Sequence, residues 1–193
     1  MSLARKKQEH YTYADYLTWG ESYRCELIDG VVYDMTPAPS RQHQELAMEL
    51  SGILWSFFKD HPCKVFPAPF DVRLPSPGED DDRTDTVVQP DIVVVCDARK
   101  LDDRGCRGAP DLAVEIVSPE SAARDMKEKL ALYEKRGVKE YWVVHPDAKI
   151  VMVFYRVKKN TYGKPLVFGA DDIIRSKIFR DLKIKGSRLF GVK

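Results

Sequence analysis

Two carboxylates stand beside or inside strongly apolar runs. Glu115 interrupts Leu112-Ala-Val-Glu-Ile-Val117, and Asp91 directly precedes the run Ile92-Val-Val-Val95. An ionised group inside an apolar layer is costly unless a cation or hydrogen-bond donors compensate it. Paired carboxylates with open coordination positions suit Mg²⁺ or Mn²⁺, which take few protein ligands and keep several waters. If the two runs are neighbouring strands, Asp91 and Glu115 are predicted to point into one cleft at an end of a sheet.

Other interpretations of these carboxylates stay open on the sequence alone. In one of them, Asp91 only begins a strand and Glu115 pairs with a structural arginine. Asp111 follows Pro110 in a second Pro-Asp pair and shares strand parity with Glu115, so it is an alternative to Asp91. His43 is a further candidate for the cleft, against the alternative of a hydrogen-bonded structural histidine.

A lysine on the following helix is the candidate cation. A helix is predicted over residues 121–136, ending at Gly137, a residue type that suits a left-handed C-terminal position. On a wheel of about 100° per residue, Lys129 lies about 60° from Met126, at the edge of the apolar stripe, while Lys127 lies about 100° away on the other side. Lys129 is therefore predicted to reach the cleft and stabilise charge on a phosphate or orient a metal-bound water. The alternative is a snorkelling side chain with its charge in solvent.

The surrounding pattern predicts a mixed sheet with helices packed on it. Asp29-Gly30 joins two β-prone runs within residues 23–35, which is a strong hairpin signal. Ser40 is predicted to cap a helix that runs to about residue 59. The strands are predicted at residues 87–96, 112–117, 140–144 and 150–155, and residues 98–108 form a charged loop. The crossover between residues 112 and 144 implies a parallel pair, and the hairpins imply antiparallel ones.

Composition indicates an ordinary globular protein. The 193 residues are 44% hydrophobic and 32% charged, with a net charge of +1. Residues 156–193 contain 11 Lys and Arg against 3 Asp, so this end is either a phosphate-facing surface or a solvated rim. Residues 1–10 are predicted to be a disordered N-terminal or tag segment, and residues 11–193 a single domain.

The cysteine pattern and the hydropathy of the sequence predict where in the cell the protein is found. The cysteines form no Cys-x-x-Cys pair and follow no recognisable leader, so reduced thiols and a cytoplasmic location are predicted. No apolar stretch approaches the roughly 18–20 residues that a bilayer crossing needs, so no membrane contact is predicted.

Several longer motifs together resemble the Uma2 family, also called DUF820, a bacterial family classed among the restriction endonucleases. The resemblance extends from about residue 12 to residue 190. The matching segments are Tyr23-Arg-Cys-Glu-Leu-Ile-Asp-Gly30, His43, residues 89–95, residues 109–119, Asp125-x-x-x-Lys129, Tyr133 and residues 137–146.

The resemblance implies an α/β fold of mixed α+β type, with the restriction-endonuclease-like core of the PD-(D/E)XK superfamily: a mixed β-sheet with flanking helices and an added N-terminal hairpin. It further implies DNA as the partner and a metal-dependent endodeoxyribonuclease, with Mg²⁺ or Mn²⁺ held by Asp91, Glu115 and Glu26. The position two after Glu115 is Val117 rather than lysine, and the resemblance implies that Lys129 supplies that charge. An inactive nuclease fold that only binds nucleic acid or protein is the alternative. A homodimer is expected if both strands of a duplex are cut, one by each subunit.

Overall fold

The computed structural model describes residues 10–20, 23–35, 38–119 and 121–192. The described helices are α1 (Tyr13–Tyr16), α2 (Arg41–Phe58), a π-helical segment (Arg124–Lys129), α3 (Leu130–Arg136) and α4 (Gly186–Leu189). The described strands are β1 (Cys25–Ile28), β2 (Val31–Asp34), β3 (Lys64–Pro67), β4 (Val72–Arg73), β5 (Val87–Val88), β6 (Ile92–Val95), β7 (Leu101–Asp102), β8 (Gly105–Arg107), β9 (Leu112–Ile116), β10 (Glu140–His145), β11 (Ile150–Lys158), β12 (Thr161–Tyr162), β13 (Leu166–Phe168), β14 (Ile173–Arg175) and β15 (Lys183–Lys185).

These strands form two mixed sheets and a separate two-stranded ribbon. The central sheet has the order β12-β11-β10-β9-β6-β3, with β13 also paired to β11. A six-stranded sheet has the order β2-β1-β5-β4-β8-β7, and β14 pairs with β15. Strands β9 and β10 run parallel while β6 and β9 run antiparallel. The predicted mixed sheet and the parallel pair around residues 112–144 are therefore confirmed.

The predicted N-terminal hairpin is present as β1 and β2. Both turn residues have positive φ, 45° at Asp29 and 79° at Gly30, as the tight hairpin turn requires. A Cβ at position 30 would also lie 2.1 Å from the His10 ring. The turn therefore fixes the register of β1, the strand that carries Glu26.

The single strand predicted over residues 87–96 is wrong. Residues 87–88 belong to the six-stranded sheet as β5, and residues 92–95 belong to the central sheet as β6. Pro90 lies in the break and lacks the N–H group that a continuous ladder would use. The chain therefore passes from one sheet to the other between Gln89 and Asp91, which brings the two sheets together at this point.

Helix α2 packs on one face of the central sheet. It begins after Ser40, whose hydroxyl accepts a hydrogen bond from the His43 N–H, as a helix cap does. Its buried residues, Leu46, Leu50, Leu54 and Phe58, recur at helical spacing and join the core with β6 and β9. The predicted extent of this helix is thus close to the observed one.

The helix predicted over residues 121–136 is not α-helical throughout. Residues Arg124–Lys129 form a π-helical segment, and a regular helix follows until Gly137, which has φ 90° as predicted. Such segments are rare and occur often at functional sites. Here the π segment buries both Asp125 and Lys129.

Two further predictions are corrected. Residues 98–108 are not simply a loop, because Leu101–Asp102 and Gly105–Arg107 pair as the hairpin β7–β8.

Cys63 and Cys96 form a disulfide rather than two reduced thiols. The antiparallel register that pairs Lys64 with Val95 continues to these cysteines, whose Cα atoms lie 3.8 Å apart. Cys25 and Cys106 are free and buried.

Of the predicted N-terminal segment, residues 1–9 lie outside the described residues, and His10 Nε2 lies 3.5 Å from Asp85 Oδ2. In the part of the chain that the structure describes, no helix combines the length and the apolar character of a membrane span.

Candidate active site

Asp91 and Glu115 line the same cavity, which has a volume of about 910 Å³. Strands β6 and β9 are antiparallel neighbours, and Ile92 pairs with Val114. One step further along this register, Asp91 stands opposite Glu115, so both side chains lie on one face of the sheet. The structure thus places these two predicted residues in one cleft.

Lys129 joins the two sheets at the floor of this cavity. Its Nζ lies 2.8 Å from Glu115 Oε1 and 2.8 Å from Glu26 Oε1, with Asp125 Oδ1 at 3.7 Å. The lysine is 4% exposed, so the snorkelling alternative does not describe it. Lys127 is exposed, as the wheel predicts.

The charges in this cluster strongly influence one another. Burial raises the pKa of Glu115 well above its ordinary value; Lys129 opposes this effect, and Asp125, Asp91 and Glu26 add to it. For Lys129, burial acts to lower the pKa, but attraction to Glu115, Glu26 and Asp125 outweighs it and the pKa is raised. The ammonium is therefore held in its charged form among carboxylates.

Asp91 has a separate set of contacts. Its Oδ2 accepts a hydrogen bond of 2.7 Å from the Ile116 N–H and lies 3.1 Å from His43 Nε2. The hydrogen bond to Asp91 raises the pKa of His43. Since His43 also lines the cavity, it is both a hydrogen-bonded histidine and a residue of the site.

Glu26 reaches the site from the other sheet. Its Oε1 accepts a hydrogen bond of 2.9 Å from the Gln89 N–H in addition to the contact with Lys129, and its Oε2 lies 3.7 Å from Arg124. The break between β5 and β6 supplies this N–H. Glu26 is thus directed at Lys129 and Arg124 rather than at Asp91.

Sequence reasoning missed two partners of the cluster. Tyr133 donates a hydrogen bond of 2.9 Å to Glu115 Oε1, and Asp125 is a buried carboxylate four residues before Lys129. Asp125 and Tyr133 each lie four residues from Lys129, and this helical spacing is the sequence signal that could have predicted their contact with the cluster. Both residues stand in the segments that resemble the family, but no contact with the site is predicted for either.

The alternative residue Asp111 lies elsewhere. Asp111 accepts a hydrogen bond from the Cys96 N–H at 2.7 Å and pairs with Lys139 at 2.6 Å, and it does not line this cavity. Ser118 and Ser121, which do line the cavity, hydrogen-bond each other's N–H groups at the start of the helical stretch. Both side chains stabilise local structure.

A divalent ion fits two of the three predicted carboxylate ligands. Among the described residues, no group of three or more His, Cys, Asp or Glu side chains is arranged to hold a metal. In the part of the chain that the structure describes, however, Asp91 Oδ1 and Glu115 Oε2 accept no hydrogen bond. Mg²⁺ is commonly bound by one or two carboxylates, several waters and substrate phosphates. Asp91 and Glu115 are therefore enough protein ligands for such an ion.

Comparison with solved structures defines the class of fold. A crystal structure of a protein from Anabaena variabilis, described as a putative nuclease belonging to DUF820, superposes with a TM-score of 0.74 at 21% identity, covering 94% of this chain and 98% of that one. The chain therefore has the α/β fold of that nuclease-type protein.

Comparison of sequences gives the family. Residues 13–185 match the sequence model of Uma2, described as "Putative restriction endonuclease", and the chain belongs to this family. An uncharacterized protein from Synechocystis sp. is 24% identical over 155 residues, which cover 79% of this chain and 76% of that protein.

Proposed function

We propose that this protein is a divalent-metal-dependent endonuclease that hydrolyses phosphodiester bonds in DNA. One observation carries the proposal: Lys129, buried among carboxylates, lies in the same cavity as Asp91 and Glu115. An ammonium and two carboxylates at the end of a sheet supply charge stabilisation and a cation site together. Membership of a family described as restriction endonucleases supports the same conclusion.

In this proposal each residue has a distinct part. Asp91 and Glu115 hold Mg²⁺ or Mn²⁺, which when bound lowers the pKa of water and neutralises phosphate charge. Lys129 places its positive charge beside Glu115, where it stabilises the negative charge that develops on the phosphate. Glu26 positions Lys129 through an ion pair and Tyr133 positions Glu115 through a hydrogen bond, and a ligand role for Glu26 stays a prediction.

The surface charge of the C-terminal segment is compatible with DNA as the partner. The described Lys and Arg residues of 156–192 are all exposed, which is what a phosphate-facing surface requires. The solvated-rim interpretation predicts the same exposure, so binding measurements decide between them. A cytoplasmic location and a homodimer with one site in each subunit complete the proposal.

A cleavage assay tests this function. The purified protein is incubated with supercoiled plasmid and Mg²⁺ or Mn²⁺, and nicked or linear product is measured. We expect cleavage that EDTA abolishes and that Asp91→Ala and Glu115→Gln each reduce by about 100-fold or more. Asp171→Asn, an exposed carboxylate outside the cavity, is the matched control and should cleave normally. Absence of cleavage with either metal would count against the proposal.

A second candidate function is a nuclease fold that binds nucleic acid or protein without cutting. It is favoured by the close pairing of Lys129 with Glu26 and Glu115, which engages the ammonium, and by Val117 in place of the motif lysine. In this case DNA binding would be retained in Asp91→Ala, and no variant or metal would change the plasmid.

A further inference from the structure

A second cation lies in the cavity and is more open to a ligand than Lys129. The side chain of Arg124 lines the cavity and is 23% exposed, against 5% for Lys129. Its guanidinium lies 3.7 Å from Glu26 Oε2, which is longer than a hydrogen bond. In the part of the chain that the structure describes, no group accepts a hydrogen bond from this guanidinium. Its N–H donors are therefore available to a ligand.

The π-helical segment brings this arginine to the same carboxylate as Lys129. Arg124 and Lys129 are the first and last residues of the segment. The hydrogen bonds of a π-helix join residue i to residue i+5, so Arg124 and Lys129 lie about one turn apart on the same side. In an α-helix they would lie about 140° apart. As a result Lys129 Nζ lies 2.8 Å from Glu26 Oε1 while Arg124 faces Glu26 Oε2.

The N-terminal hairpin supports the guanidinium from below. Glu26 on β1 pairs with Tyr33 on β2, and such cross-strand partners lie on one face of a sheet. The Arg124 guanidinium carbon lies 5.3 Å from the centre of the Tyr33 ring, which is within cation–π range. Arg24, whose carbonyl continues the ladder by accepting from the Met35 N–H, is two residues before Glu26 and so shares this face. Arg24 also lines the cavity.

An anion that enters this cavity needs an available cation. Asp91, Glu115 and other carboxylates line the cavity and repel negative charge. Lys129 already contacts two carboxylates at 2.8 Å, whereas Arg124 keeps its donors free of hydrogen bonds to the described residues. The planar fork of a guanidinium matches the oxygens of a phosphate group, to which it can donate two parallel hydrogen bonds.

We infer that Arg124, with Arg24 on the same face of the hairpin, binds a backbone phosphate of the DNA substrate. This inference rests on the proposed function and deepens it, because it names the residues that hold the substrate in the cavity. Glu26 and Tyr33 position the guanidinium, and the π-helical segment sets it beside Lys129.

A binding titration tests this site without any cleavage. Labelled duplex DNA is titrated with protein in EDTA, and fluorescence anisotropy gives the Kd at several salt concentrations. Arg124→Gln should raise the Kd about tenfold and lower the slope of log Kd against log salt by about 1, the loss of one phosphate contact. The double variant R24Q/R124Q should bind more weakly still. Lys127→Gln, exposed on the same segment and outside the cavity, is the matched control and should bind normally.

Arg124→Lys separates phosphate binding from a purely structural contact with Glu26. Lysine keeps the charge but loses the planar fork, so the salt slope should be retained while the Kd rises. Urea titration of each variant measures its stability. A loss of stability in Arg124→Gln with an unchanged salt slope would show a structural role and overturn the inference. So would an unchanged Kd in Arg124→Gln or no DNA binding by the unmodified chain, and a double variant no weaker than Arg124→Gln would remove Arg24 from the site.

A free phosphate ion has the same chemistry as a backbone phosphate, and calorimetry distinguishes them. Inorganic phosphate titrated into the unmodified chain should give no measurable heat of binding, because it lacks the other contacts of a DNA backbone. Heat of binding that Arg124→Gln removes would assign the site to a free ion and contradict a site for DNA.

Cleavage kinetics separate this inference from the proposed function. With plasmid and Mg²⁺, Arg124→Gln should raise KM more than it lowers kcat, since the contact is made before and during the reaction alike. A chain that binds DNA through Arg124 but cuts nothing would contradict the proposed nuclease and support the phosphate site. Cleavage by Arg124→Gln with an unchanged KM would contradict the phosphate site and support the nuclease.

Discussion

At the scale of single residues, the candidate site depends on one buried ammonium. Lys129 is in contact with Glu26 and Glu115 and close to Asp125. Each carboxylate loses hydration on burial, and Lys129 is the nearest positive charge to compensate them. The same group that stabilises the fold here is the one assigned to stabilise phosphate charge, so stability and activity are coupled at this position.

Replacing Lys129 should therefore affect both properties. Lys129→Met leaves Glu26 and Glu115 buried without their cation, and we expect a loss of about 3–5 kcal/mol in the free energy of unfolding. Plasmid cleavage should fall by about 100-fold or more in the folded protein. Lys127→Met, on the exposed side of the same segment, should change stability by less than about 0.5 kcal/mol. Cleavage by Lys129→Met at the normal rate would remove Lys129 from the mechanism.

Glu115 should make stability depend on pH. Its pKa is raised in the folded chain by burial, above the ordinary value of 4.5. Below pH 4.5 folded and unfolded chains both keep the proton, so the group has no effect there. As the pH rises through that value the unfolded chain loses the proton while the folded chain retains it, and stability decreases until the raised pKa is passed.

Glu115→Gln should remove this decrease. In urea titrations with EDTA, we expect the variant to be more stable than the unmodified chain at neutral pH, with the difference vanishing below pH 4.5. Mg²⁺ should then stabilise the unmodified chain and not the variant. A variant less stable at every pH would show that attraction to Lys129 exceeds the cost of burial.

Much of the residue-scale account could be predicted. Charges inside apolar strands identified Asp91 and Glu115, and the helical wheel selected Lys129 over Lys127. The pairing of Glu26 with Lys129 could not be predicted, because it depends on contact between two sheets. A sequence pattern reports which face a side chain occupies, but not which partner it meets across the fold.

At the scale of elements, the break between β5 and β6 creates the site. The apolar run over residues 87–95 predicts one strand, yet β5 and β6 belong to different sheets. Hydrophobic periodicity does not show which sheet a strand joins. Pro90 is therefore the one sequence feature of this run that indicates the passage from one sheet to the other. The hairpin of β1 and β2, α2 and the end of α3 were predictable because turn glycines and a helix cap act locally.

Another element-scale contact lies at the start of β10. Glu140 is fully buried and accepts hydrogen bonds from Trp142 Nε1 at 2.6 Å and from the N–H groups of Lys177 at 2.6 Å and Ile178 at 3.1 Å. It therefore ties the segment after β14 to the central sheet. No sequence pattern around Lys177 and Ile178 predicts that their N–H groups bind Glu140.

Removing that carboxylate should loosen the C-terminal segment. Glu140→Ala leaves these three donors without an acceptor, and we expect a loss of about 3 kcal/mol or more in the free energy of unfolding by urea titration. Glu140→Gln keeps one acceptor oxygen and should lose less. Equal stability of all three proteins would show that solvent replaces the carboxylate.

At the scale of the whole molecule, the site lies where two sheets meet. The central sheet contributes Asp91 and Glu115 at its end, the six-stranded sheet contributes Glu26, and the π-helical segment contributes Lys129 between them. The mixed sheet and its flanking helices were predictable from periodicity and connection lengths. The division into two sheets was not, because long-range pairing depends on packing that a single sequence does not display.

The central claim is that Asp91 and Glu115 share a divalent cation in this cavity. A crystal soaked in Mn²⁺ tests it most directly, through anomalous difference density. We predict a peak between the two carboxylates at about 2 Å from an oxygen of each, and its loss in Asp91→Ala crystals soaked in the same way. An empty cavity at saturating Mn²⁺, or a peak bound only by residues outside it, would contradict the claim.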